Sequence, residues 1–344
     1  MGIFGKRRER VLSLASKFDA VVVTNPKNLF YLTDFWGGGI GIVEGDSTTI
    51  VTSVMEEYRA NETGKDVRVV PSKNMVTAYQ TVAKKLKGKT LMDQYDPRLK
   101  GTVDDSVFLE ARRQKDAEEL RKISQASKKV DELYELLEQE IQVGRTEFEI
   151  AGEVMRLATT EGLSPLASEG SLSPIIVASG PNAALPHAEL SGRKVRIGDM
   201  VVADIFFRFQ GYCTDCTRTY AVGKVPEEWT AGYQAVFDAQ AEGIKLVKRG
   251  VAAKDVHAGV SAVLKERGLE KYFTHGTGHG VGIDIHERPS IGATSTDILA
   301  DGDVVTIEPG IYVPEEYGVR IEDTVTVGKE VKVLFDYTKE LLVL

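Results

Sequence analysis

Two aspartates lie where a charge is costly. Asp204 falls within Val201-Val202-Ala203-Asp204-Ile205-Phe206-Phe207, and Asp215 falls between Cys213 and Tyr220, both runs patterned like buried strands. With Phe209-Gln210 as the turn of a two-residue hairpin, the two carboxylates lie directly opposite each other on one face. Like charges so placed repel unless a cation lies between them. Glu308 follows Val304 to Ile307, and Glu322 follows Val319-Arg320-Ile321. They make a second facing pair if the chain turns near Glu315, although Pro309 and Pro314 interrupt the ladder.

The segment from Thr274 to Glu287 carries three of the chain's five histidines among alternating glycines. His275 and His279 have the spacing of zinc ligands on a helix, which the glycines oppose. A phosphate-cradling loop is the other glycine reading, but no Lys-Ser/Thr follows. The glycines instead let the backbone approach something closely, with His side chains projecting into a site. Four carboxylates and a histidine form a mostly oxygen-donor set, enough for two metals sharing carboxylates. Such a set suits Mn(II), with Co(II) or Zn(II) as alternatives. Two metals about 3.5–4 Å apart can hold a bridging hydroxide and polarise a carbonyl oxygen together, which equips a site for amide hydrolysis.

The strands and helices around these residues are legible as patterns. In the first third, Asp19 to Val23, Gly41 to Val43 and Thr49 to Val51 read as strands, and Thr77 to Leu86 as a helix. That is an α/β pattern with no catalytic-looking cluster. Ala117 to Ile141 carries one apolar stripe, Leu120, Ile123, Val130, Leu133, Leu137 and Ile141, and reads as a long helix. Thr146 and Glu149 have capping-box spacing at the start of the next helix. Met200 to Phe207 and Tyr212 to Val222 read as a hairpin, Tyr233 to Val247 and Asp255 to Lys265 as helices, and Val304 to Glu308 and Val319 to Val327 as strands.

Composition bounds the answer. The chain has 344 residues, 42% of them hydrophobic and 27% charged, which is globular composition and long enough for two domains. With 43 Lys and Arg against 51 Asp and Glu, the net charge of −8 argues against nucleic acid as a partner. The basic run Lys6-Arg7-Arg8 with Arg10 reads as a solvated N-terminal tail. The apolar stretch after it, Val11 to Ala15, is too short for a signal-peptide core or a membrane span, so a cytoplasmic protein is expected. Cys213 and Cys216, the two cysteines, are spaced as a redox pair or half a zinc site. Within a strand they face opposite sides, so the reading is two buried, reduced thiols.

At these residues the sequence resembles the pita-bread metallopeptidases: prolidase, Xaa-Pro aminopeptidase, methionine aminopeptidase and their relative creatinase. The matching segments are Leu185-Pro186-His187, Asp204 through Asp215-Cys216-Thr217-Arg218-Thr219, Gly278-His279-Gly280-Val281-Gly282, Ile285-His286-Glu287, Ile307-Glu308-Pro309-Gly310 and Val319-Arg320-Ile321-Glu322-Asp323. The short interval from Glu308 to Glu322 is similar to the prolidase and Xaa-Pro aminopeptidase branch. The resemblance implies an α/β (α+β) fold. A creatinase-like α/β domain over residues 1–115 would precede a pita-bread catalytic domain over 116–344, whose curved, mainly antiparallel sheet is flanked by helices.

The resemblance also implies roles. Asp204 would chelate one metal, His279 and Glu308 the other, and Asp215 and Glu322 would bridge. Glu308 would also be the general base. His187 and His286 would bind substrate and stabilise the tetrahedral intermediate, and Arg320 would orient the carboxylates. Two divalent ions per subunit, a homodimer and no membrane partner are implied. The activity implied is hydrolysis of the bond before proline in Xaa-Pro dipeptides through a metal-bridging hydroxide. The alternatives are an Xaa-Pro aminopeptidase on longer peptides, a hydrolase of a small non-peptide compound, or a non-catalytic scaffold. Two positions depart from the relatives. Phe206 stands where many have Gly and would either narrow the substrate pocket or simply pack. Ser290 stands where some prolidases have an Arg suited to a dipeptide's carboxylate, and Arg288 nearby projects differently.

Overall fold

The computed structural model describes residues 2–45, 47–166 and 172–344. The chain divides into two compact units, Met1–Arg112 and Arg113–Leu344. The first contains α1 (Ile3–Leu14), β1 (Ala20–Val23), α2 (Pro26–Thr33), β2 (Ile40–Val43), β3 (Thr48–Ser53), α3 (Val54–Thr63), β4 (Val67–Ser72), α4 (Met75–Lys85), β5 (Thr90–Met92) and β6 (Thr102–Val103), and α5 (Ser106–Arg113) ends at the division. Its sheet runs β4-β3-β2-β1-β5-β6 and mixes parallel and antiparallel pairs. Val22, Ile40, Val51, Val82 and Met92 fill its core.

The basic run is not a solvated tail. It lies in α1, where Arg7 and Arg8 are buried and Lys6 is exposed. Arg7 stacks its guanidinium over the Phe4 and Tyr31 rings and donates to the Tyr31 carbonyl at 3.0 Å. Arg8 meets Asp66, and Arg10 donates to the Ala111 carbonyl. Long arginine stems bury well when carbonyls and rings receive their heads, which composition alone does not reveal.

The second unit begins with α6 (Ala117–Glu140) and α7 (Glu147–Thr160), followed by β7 (Ser164–Pro165), β8 (Ile176–Ser179), β9 (Met200–Phe209), β10 (Tyr212–Ala221), α8 (Glu227–Leu246) and α9 (Ala253–Glu266). It continues through β11 (Gly278–Gly280), β12 (Glu287–Ile291), β13 (Val304–Ile307), β14 (Gly310–Val313), β15 (Tyr317–Arg320), β16 (Asp323–Thr326) and β17 (Lys332–Val333). Asp116 caps α6 in a reciprocal box with Glu119, and Thr146 does the same for α7 with Glu149. Ile123, Val130, Leu133 and Leu137 form the buried stripe of α6, while Leu120 is half-buried. The Tyr134 hydroxyl lies between the carbonyl oxygens of Ala203 and Cys216, seating α6 on the β9–β10 hairpin.

All strand pairs described in the second unit are antiparallel. β9 pairs with β10 on one side and with β7 and β8 on the other. A second sheet runs β12-β11-β13-β16-β17, and β14 and β15 form a separate hairpin. Helices α8 and α9 cover this arrangement through Val236, Ala239, Val260 and Leu264. No helix among the described residues is long and apolar enough to cross a membrane.

Two strand expectations need correction. The β9–β10 turn is Gln210-Gly211, not Phe209-Gln210, so Asp204 pairs with Thr217 and Asp215 with Phe206. Both turn residues have positive φ, 48° and 89°, as a type I′ turn requires, and Gly211 supplies the second at no steric cost. Asp204 and Asp215 therefore share a face but sit diagonally rather than directly opposite. The expected strand Val319 to Val327 is broken between β15 and β16 at Ile321-Glu322. There the Glu322 N–H leaves its neighbour strand and donates to the Thr217 carbonyl of β10 at 3.0 Å. The register on either side of the break, Gly310 with Arg320 and Ile307 with Asp323, is the one expected for a turn near Glu315.

Candidate metal centre

The break in the ladder brings the two carboxylate pairs together. Asp204 stands on β9, Asp215 and Thr217 on β10, His279 on β11, Glu308 just after β13, and Glu322 between β15 and β16. Glu308 N–H donates to the Thr277 carbonyl, so both glutamates are pulled out of mutual pairing and into the cluster. Thr217 Oγ1 donates to Glu322 Oε2 at 2.7 Å and accepts from Arg320 Nε at 3.1 Å. Arg320 Nη2 meets Asp204 Oδ2 at 2.6 Å. His279 Nε2 lies 3.6 Å from Asp215 Oδ2 and 3.3 Å from Glu308 Oε1. One ligand atom each from Asp215, His279 and Glu322 lies within 4.8 Å of the others.

Backbone contact fixes the His279 tautomer. Its Nδ1 is 3.0 Å from the Gly280 carbonyl, which can only accept, so the proton resides on Nδ1 and the Nε2 lone pair faces the carboxylates. Close strand approach needs the glycines. A Cβ on Gly278 would lie 2.0 Å from the Thr306 carbonyl oxygen, and one on Gly280 would lie 2.3 Å from that of Arg288.

The electrostatics are those of an anion cluster short of cations. Burial holds the Asp215 carboxyl well above its ordinary range, and the charges of Glu322, Asp204 and Glu308 push it the same way, against Arg320. Burial also raises Glu322 and Glu308, with neighbouring carboxylates adding to it. Two carboxylate oxygens, Asp204 Oδ1 and Glu322 Oε1, are buried with no hydrogen-bond partner. Native proteins rarely leave a buried carboxylate oxygen unsatisfied. These residues fit divalent cations in donor type, in number and in unmet demand.

The other residues singled out from sequence surround this cluster. The His286 ring stands perpendicular to that of His279, with centroids 4.2 Å apart. Burial, with His279 beside it, brings the His286 pKa down to about 4, so this imidazole is neutral near pH 7. His187 is exposed, and the Pro186 carbonyl before it accepts from Arg320 Nη1 at 3.0 Å. Phe206 is half-buried against Ile176, Ala178 and Ala188. Ser290 pairs with His279 across β11–β12, and its N–H donates to Asp297. Arg288 ion-pairs with Asp297. Cys213 and Cys216 are free and buried. Their thiols donate to the carbonyls of Ile283 and Glu322.

Residues 121–329 match metallopeptidase family M24, and residues 7–96 match the creatinase/prolidase N-terminal domain. The chain belongs to metallopeptidase family M24. It is 33% identical to an Xaa-Pro dipeptidase of Pyrococcus furiosus, over 95% of this chain and 96% of that one. It is 31% identical to an uncharacterized peptidase of Bacillus subtilis, with the same coverage. Among solved structures, an Xaa-Pro dipeptidase from Bacillus anthracis superposes with a TM-score of 0.90 at 28% identity, covering 98% of this chain and 99% of that one. The M24 fold, a creatinase-type first domain and membership of the pita-bread metallopeptidases are thus as the motifs implied.

Sequence reading gave no role to Tyr312, Thr306 or Thr217, which join this cluster, and set aside the ligand reading of His275. Arg320 Nη1 donates to the Tyr312 hydroxyl at 2.9 Å, which donates in turn to His275 Nε2 at 2.9 Å. His275 Nδ1 reaches the Gly276 carbonyl, so its proton sits there. Thr306 Oγ1 accepts from the His279 N–H and donates to Glu308 Oε1 at 3.1 Å. Thr217 and Thr306 each sit two residues from an acidic candidate on the same strand face. That alternation was the available signal.

Proposed function

We propose that this M24 chain hydrolyses the peptide bond before proline in Xaa-Pro dipeptides. In this reading Asp204, Asp215, His279, Glu308 and Glu322 hold two divalent ions, manganese first among them because the donors are mostly oxygen. The observation that carries the reading is the enclosed set of four carboxylates around one imidazole, with Asp204 Oδ1 and Glu322 Oε1 lacking any partner. The names of the relatives from Pyrococcus furiosus and Bacillus anthracis support the substrate class.

When bound, such paired ions polarise the scissile carbonyl and make water a stronger acid. Glu308, whose Oε1 accepts from Thr306 Oγ1, takes the proton of the attacking water. His286, neutral near pH 7, donates an N–H to the oxygen on which charge develops. His187 binds substrate from the exposed side, and Phe206 walls the pocket. Arg320, held by Asp204, Thr217 and Tyr312, orients the carboxylates.

A second reading, an Xaa-Pro aminopeptidase on longer peptides, is favoured by Ser290 and by the engagement of Arg288 with Asp297. A structural relative from Thermotoga maritima with TM-score 0.86 and 27% identity, covering 98% of this chain and all of that one, is an X-Pro aminopeptidase. The test is manganese-dependent release of proline from Leu-Pro and Met-Pro beside turnover of Leu-Pro-Xaa tripeptides. Turnover of tripeptides alone replaces the first reading with the second, and turnover of neither removes both. We also propose a cytoplasmic homodimer. The two free thiols support a reducing compartment, and the resemblance supports the dimer, which light scattering of the full chain measures.

A further inference from the structure

A buried ion pair outside the carboxylate cluster holds the turn that carries His286. Lys115 precedes α6, in a stretch that neither family match covers. Its Nζ lies 2.5 Å from Glu287 Oε1, with the two side chains only 1% and 4% exposed. The lysine is itself anchored: Nζ donates to the Arg113 carbonyl at 3.1 Å, and its backbone N–H donates to Gly302 at 2.9 Å. Glu287 directly follows His286, and the turn from 282 to 287 folds around its carboxylate. Oε2 accepts from the Asp284 N–H at 3.4 Å. Gly282 presses so closely that a Cβ there would lie 2.3 Å from Oε1. Gly282 N–H donates to Asp284, and its carbonyl accepts from Cys213 N–H at 2.7 Å.

A buried ion pair is a weak stabiliser compared with an apolar pair of the same volume, but it fixes two groups at a set distance. Here the fixed group is next in sequence to a ring that stands 4.2 Å from His279. We propose that Lys115 is a positioning residue. Its bond to Glu287 sets the place of the His286 imidazole, and through it the share of the rate that His286 supplies. This rests on the reading of His286 given under Proposed function.

The test combines Lys115→Met with His286→Ala in the manganese-loaded full chain, singly and together, on Leu-Pro. Lys115→Met is expected to lower kcat about 10–100-fold, the usual effect of losing a partner that orients a site residue, with KM little changed. Added to His286→Ala, it is expected to cost less than about twofold more, because two residues acting through one group are not additive. Equal losses in both backgrounds overturn the proposal, as does an unchanged kcat. A second readout needs no activity. In the histidine-labelled full chain, Lys115→Met should move the ring signals of His286 and leave those of His257 in place. A stationary His286 signal overturns the proposal even if Leu-Pro is not a substrate, so its failure is separable from that of the functional reading. If Lys115→Met does not fold, Lys115→Met with Glu287→Leu, which leaves no single buried charge, replaces it in both arms with the same expectations.

Discussion

Asp215 is enclosed, and three other carboxylates raise its pKa further, so removing its charge has two opposite effects. In the metal-free chain Asp215→Asn relieves repulsion and should raise the melting temperature at pH 8. In the presence of manganese it should cut metal content and kcat more than about 100-fold, beyond the loss typical of an outer partner. Elemental analysis, melting in chelator and proline release check the three parts, and near-normal activity takes Asp215 out of the site. Cys216 gives the contrasting case. Its thiol donates to the Glu322 carbonyl and accepts from Arg218, and a hydroxyl can do both. Cys216→Ser should leave kcat within about twofold, since the change exchanges one modest hydrogen bond for another. At this scale the carboxylates were legible because a charge in an apolar strand stands out. Thr217 was not, because its hydroxyl matters only through Glu322 and Arg320, more than a hundred positions along.

The elements that carry the site are held close by backbone contact. β11 runs so near β13 that Gly278 has no room for a side chain. Gly278→Ala should cost roughly 1–3 kcal/mol, the usual range for overpacking, and should shift His279 with its strand. Chemical denaturation measures the first part and manganese affinity the second; a variant as stable as the parent would contradict the close approach. Helices and caps were readable because their signals are local. The stripe from Ile123 to Leu137 and the box of Thr146 with Glu149 both lie within a few turns of chain. The β9–β10 register was misread by its turn, since Gln210 takes a positive φ of 48° beside Gly211 at 89°, a conformation its residue type does not announce. The break at Glu322 was invisible, since it is made by the Thr217 carbonyl of another strand.

For the whole molecule, the cluster sets how stability depends on pH. Asp215, Glu308 and Glu322 have raised folded-state pKa values. Between the ordinary carboxyl range, about 4, and those raised values, the folded chain binds protons that the unfolded chain has lost. Their stabilising contribution is therefore full below the unfolded pKa and is lost as pH rises through the folded one. His275, His279 and His286 are lowered by burial and act with the opposite sign, gaining stability as pH rises toward about 6.5 and little beyond it. In chelator the carboxylates should therefore lower the melting temperature as pH rises above about 4, the histidines opposing them up to about 6.5, and manganese should remove the carboxylate part. A chelator curve parallel to the manganese curve would mean that the carboxylates do not repel.

The donor types, their order along the chain, the helices that brace them and the family they belong to could all be read before any fold was known, because each is written in side-chain chemistry or in short-range periodicity. Folding was needed to show which oxygens are left without partners, which histidine turns its lone pair inward and which lysine reaches Glu287. Those depend on strands meeting across long sequence separations, where a shift of one turn residue or one stray carbonyl bond changes which atoms face each other.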